Sequence, residues 1–90
     1  MNELTETQYE ILSKMSNDYC YPFYYFDDLN LTRKQLSKEF KILREAGLVY
    51  FANGLMTEEG QTGGSGYGID NNDEVNKLMD EFEEGMKNND

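Results

Sequence analysis

Residues 32–51 read Thr-Arg-Lys-Gln-Leu-Ser-Lys-Glu-Phe-Lys-Ile-Leu-Arg-Glu-Ala-Gly-Leu-Val-Tyr-Phe. Thr32 and Gln35 stand at the spacing of a capping box, in which a hydroxyl and an amide each satisfy a backbone N–H at a helix start. Leu36, Phe40 and Leu43 follow at i, i+4 and i+7, the stripe of a core-facing helix. Gly47 stands just past Arg44-Glu45-Ala46, where helices commonly end in a left-handed residue. The spacing predicts a helix over 32–46. Leu48-Val49-Tyr50-Phe51 is rich in strand formers and follows the glycine directly, so a strand is expected to leave this helix without a linker.

Upstream, Thr5 and Gln8 repeat the capping-box spacing, and Ile11, Leu12 and Met15 continue one helical face with Gln8, which predicts a helix over 5–16. Residues 19–26 read Tyr-Cys-Tyr-Pro-Phe-Tyr-Tyr-Phe, six aromatics in eight. Pro22 suits the entry to a short helix over 23–29. The rings have two uses open to them, an aromatic binding surface or the core of a domain with little else to fill it, and the size of the chain favours the core. Asn30-Leu31 is then a short connection.

Downstream, Asn53-Gly54 is a turn signal, and Glu58-Glu59-Gly60 offers a second. Residues 63–69 hold four glycines in seven. A hairpin is expected over 48–70, with a long glycine-rich tip and a return strand near 66–69. Asp73 and Glu74 open a last helix over 73–87, acids at its positive end. Its Val75, Leu78, Met79, Phe82 and Met86 form an apolar stripe, and Asp80, Glu81, Glu83 and Glu84 an acidic outer face. That stripe has two possible partners, the first helix of the same chain or its twin in a homodimer.

The expected fold class is α+β, mainly α: a three-helix core over 5–47, a hairpin over 48–70 and a C-terminal helix over 73–87, in one domain over 1–90. A helix pair joined by a turn of three to four residues is the helix-turn-helix unit. With the hairpin directly after it, the order resembles the winged helix-turn-helix. The resemblance covers 5–70 and rests on Leu36, Phe40, Leu43 and the Ala46-Gly47-Leu48-Val49 exit. The segments Gly54-Leu55-Met56-Thr57-Glu58-Glu59-Gly60 and Gly66-Tyr67-Gly68 are similar to wings of small winged-helix proteins in bacteriophage genomes. The resemblance implies a recognition helix over 32–46, a wing formed by the hairpin, and a small transcriptional regulator.

Charge points the same way and also against it. The 90 residues carry 8 basic and 18 acidic side chains, a net charge of −10. From Leu31 to Gly47 there are five cations (Arg33, Lys34, Lys38, Lys41, Arg44) against two acids, a local +3; elsewhere three cations face sixteen acids, −13. Helical residues advance about 100° each, which sets these cations mostly opposite or beside the apolar stripe. Thr32, Arg33, Lys34, Ser37, Lys38, Lys41 and Arg44 are therefore the expected contacts to duplex DNA, cations for phosphates and Arg33, Lys34 or Ser37 for base edges. Against this, no Lys or Arg lies between Leu48 and Asn76, Glu58 and Glu59 fall near the hairpin tip, and the anionic remainder opposes association with DNA. The competing reading is an acidic protein-interaction module or DNA mimic on the same scaffold.

Other chemistries find little support. The chain has no histidine, which removes the commonest general base and His-containing metal sites, so an enzyme is not expected. Cys20 is the single cysteine, expected as a buried structural thiol in a reducing, cytoplasmic setting (the host cytoplasm if phage-encoded). The 63–68 segment lacks the Lys-Ser/Thr of a phosphate loop. Residues 70–74 lack the calcium-loop pattern and suit a helix cap better. No cofactor, metal or membrane span is expected.

Overall fold

The computed structural model describes the backbone over residues 3–57 and 60–88, and side chains over 3–54 and 64–86. The fold is α+β: α1 (Glu6–Ser13), β1 (Cys20–Tyr21), a 3-10 helix (Phe23–Leu29), α2 (Arg33–Glu45), β2 (Val49–Thr57), β3 (Gly60–Ile69) and α3 (Asn72–Asn88). The three strands form one antiparallel sheet in the order β1-β3-β2.

Local chemistry accounts for the helix ends. In α1 the Gln8 N–H donates to Thr5 Oγ1 at 3.2 Å, and the Thr5 N–H to Gln8 Oε1 at 3.0 Å. In α2 the same box recurs, Gln35 N–H to Thr32 Oγ1 at 3.1 Å and Thr32 N–H to Gln35 Oε1 at 2.8 Å. At its far end, Gly47 takes φ +78°, its N–H donates to the Arg44 carbonyl, and the Leu48 N–H reaches back to Leu43. This pair of bonds is a Schellman motif, closed by burial of both Leu43 and Leu48. For α3, the Asn71 side chain accepts from the Glu74 N–H at 3.2 Å, so the oxygen-rich 70–74 segment does supply a helix cap. Among the described residues no helix is long and apolar enough to cross a membrane.

The hairpin differs from its sequence expectation. Asn53-Gly54 is not the turn, and the glycine-rich run is not the tip; both lie inside strands. Cα pairing runs from Val49↔Ile69 to Asn53↔Ser65, slips, and resumes from Leu55↔Thr62 to Thr57↔Gly60. Across the slip, Gly63 and Gly64 stand against Gly54 alone, a bulge on β3. Gly54 at φ +90° and Gly64 at φ +106° occupy the left-handed region that such an irregularity demands. The expected turn at Glu58-Glu59 lies outside the described residues. β1 is two residues long, too short to register as a strand in the sequence, and pairs Cys20 with Gly68 and Tyr21 with Tyr67.

The core collects Ile11 and Leu12 of α1, Phe26 of the 3-10 helix, Leu36, Phe40 and Leu43 of α2, Val49 and Ile69 of the sheet, and Val75 and Leu78 of α3. The aromatic run is divided. Tyr21 and Phe26 are buried, whereas Tyr24 is 70% and Tyr25 41% exposed. The α3 stripe packs within the chain at its first turns, and further along Phe82 stacks on Tyr9 of α1 at 4.6 Å between centroids. The Tyr9 hydroxyl also donates to Glu83 at 2.6 Å.

Candidate functional site

The side of α2 opposite Leu36, Phe40 and Leu43 faces solvent, so Lys34, Ser37, Lys38, Lys41 and Arg44 are all exposed. Together with Tyr67 of β3 they line one groove of about 590 Å³ between helix and sheet. Five of the seven residues expected to contact DNA thus meet in one place.

The other two are engaged elsewhere. The Thr32 hydroxyl is taken by the Gln35 N–H as the helix cap. The Arg33 guanidinium lies over the Phe23 ring, 5.3 Å from its centroid. Gln35, the other half of that capping box, spends its carbonyl on the Thr32 N–H.

Tyr67 is the groove residue that helix-based reasoning missed. Its ring stacks on Phe40 at 4.3 Å and 7°, lies 6.0 Å from Phe23, and meets Phe51 edge-on at 5.4 Å. Such offset and edge contacts are favourable beyond the area they bury. They lock the sheet against α2 and hold the groove's width. Arg44 lies over Phe51 at 5.9 Å, which extends the cationic wall towards β2. A lone aromatic between two glycines, Gly66-Tyr67-Gly68, was the available signal for a ring that crosses the sheet.

No carboxylate pairs with the groove's cations among the described residues. Among the described residues the ion pair present is Lys14–Asp28 at 2.9 Å, on other elements. Its hydrogen bond first, and then the ammonium charge, hold the Asp28 carboxyl below its ordinary pKa despite some desolvation. None of the α2 cations has a carboxylate partner among those residues. Moreover, α2 begins with Arg33 and Lys34 and has no acid in its first turn, whereas α1 has Glu6 and α3 has Asp73 and Glu74. The positive end of a helix dipole disfavours cations. α2 therefore starts with a concentration of positive potential that an anion would relieve.

The remaining chemistry is sparse. Cys20 is a free, buried thiol, 3.2 Å from the Tyr50 hydroxyl. That contact, then burial, then charge at Cys20 and Asp70 raise the Tyr50 pKa above its ordinary value. No group of three or more potential metal ligands occurs among the described residues. Comparison with protein-family models, with curated proteins and with solved structures returns no match.

Proposed function

We propose that the chain is a small winged helix-turn-helix protein that binds duplex DNA through α2, as a regulator of the phage type. The 3-10 helix and α2 are joined by the short Asn30–Thr32 connection, which suits the helix-turn-helix pairing. The β2–β3 hairpin leaves α2 through the Gly47 motif and suits the wing. The observation that carries the functional reading is the groove of Lys34, Ser37, Lys38, Lys41, Arg44 and Tyr67, whose cations have no carboxylate partner among the described residues.

On this reading the four groove cations neutralise phosphates, and Ser37 is close enough to the N-terminal half of the helix to meet a base edge. Arg33, held over Phe23, stiffens the approach and contributes charge. The cation-free hairpin adds little grip. For about four phosphate contacts, log K falls against log salt with a slope of about −3 to −4.

Binding to a pool of random duplexes of about 20 base pairs, followed by fluorescence anisotropy across a salt series, tests this. The Lys38→Ala/Lys41→Ala double variant is expected to keep the fold and to reduce the slope by about 2. Undiminished affinity in that variant would overturn the reading.

A further inference from the structure

A second groove, of about 440 Å³, opens where the N-terminal segment meets the last turns of α3. Its apolar wall is Leu4, Phe82 and Met86, and Met86 is 49% exposed. Its other described side chains are carboxylates, those of Glu3, Glu6 and Glu81, and among the described residues no cation lines it. None of the three has an ion-pair partner among the described residues.

Gly85 also lines this groove, and a Cβ built on it would meet nothing within 4 Å. Glycine is a poor helix former, second only to proline. Among the described residues no packing accounts for it, and its missing side chain deepens the groove.

We infer that this groove docks a basic amphipathic helix of a partner protein. The occupant is chosen by charge and shape. DNA and anionic lipid are repelled by the three carboxylates. A second copy of this chain brings a net −10, and its cationic helix face, Arg33 to Arg44, exposes no large apolar residue to cover Phe82 and Met86. A helix with an apolar stripe flanked by Lys and Arg satisfies both the wall and the rim, the usual helix-in-groove mode. Complementary charge sets its orientation and speeds its association. The inference does not depend on the DNA reading, because the groove shares no residue with the α2 site.

The test uses the full chain and a fluorescein-labelled Leu/Lys peptide of about 14 residues, long enough for a few helical turns, with Leu at i, i+3, i+4 and i+7. A control peptide of the same composition has its Leu stripe scrambled. Amide shift changes should centre on Leu4, Phe82, Gly85 and Met86, and the scrambled peptide should bind at least ~10-fold more weakly. Gly85→Gln fills the groove without changing charge; it should cost about 10-fold in affinity while the melting temperature holds or rises. Glu3→Gln/Glu81→Gln should weaken binding about 5-fold. Gly85→Gln should retain the DNA affinity of the parent and Glu3→Gln/Glu81→Gln should not lower it, so failure here is separable from failure at α2. Equal binding of the scrambled peptide, shifts centred elsewhere, or intact binding in Gly85→Gln would overturn the inference. So would a concentration-dependent dimer whose interface covers Met86.

Discussion

Gly47 shows how much one backbone angle can carry. At φ +78° it turns the chain out of α2 and into β2, and a Cβ there would meet no atom within 4 Å. Substitution therefore costs backbone strain alone. Gly47→Ala should lower stability by about 1 kcal/mol, and Gly47→Asn by less, in urea unfolding; equal midpoints for the three chains would dismiss the strain. Across the sheet, Tyr50 spans Gly68 to reach Cys20, and a Cβ on Gly68 would stand 2.9 Å from the Tyr50 ring. The glycine on the central strand is there because the ring lies over it. The hydrogen bond with Cys20 and burial favour the neutral phenol. Stability from this contact is therefore complete below the ordinary tyrosine pKa near 10, and is lost as pH rises through the higher value in the fold. Unfolding midpoints from about pH 8 to about pH 11 should fall more steeply in the parent chain than in Tyr50→Phe. Parallel curves would show that the phenol contributes nothing there.

At the scale of elements, α2 is the organiser, because one of its faces builds the core and the other builds the groove. Phe40 joins the two. It is fully buried, stacks on Tyr67, and lies 5.2 Å from Phe26 and 6.0 Å from Phe23. Phe40→Ala should cost about 3–5 kcal/mol, a large share of the stability of so small a domain. Circular dichroism during thermal unfolding measures it, and a loss under about 1 kcal/mol would mean that the rings do not lock sheet to helix. The helices were legible in the sequence because their signals are local: both capping boxes, the Leu36-Phe40-Leu43 stripe and the Gly47 stop act within one or two turns. The strands were less so. β1 has two residues, and the glycine-rich part of β3 has low strand propensity of its own. It is a strand because β2 and β1 pair with it on both sides and Tyr50 covers Gly68.

For the whole molecule, the net charge of −10 opposes both the fold and association with DNA, and added salt moves stability and binding in opposite directions. Self-repulsion among the acids weakens the folded state at low salt, and screening relieves it. The melting temperature should rise by a few degrees between about 20 and about 200 mM salt, while affinity for DNA falls over the same range. A melting temperature that falls with salt would mean that attractive pairs dominate the surface. The amino-acid sequence by itself determined where α1 and α2 begin and where α2 ends, which face of α2 is apolar, and that five of eight cations fall on this helix, mostly opposite or beside that face, since each of these depends on neighbours a few residues apart; α1 stops at Ser13, short of the expected residue 16. Only the tertiary structure decided which tyrosines are buried, that the glycine-rich segment is the central strand, and that Tyr67 closes a cationic groove. Those outcomes depend on groups distant along the chain, such as Cys20 with Gly68 and Phe40 with Tyr67, and it is packing that brings them together.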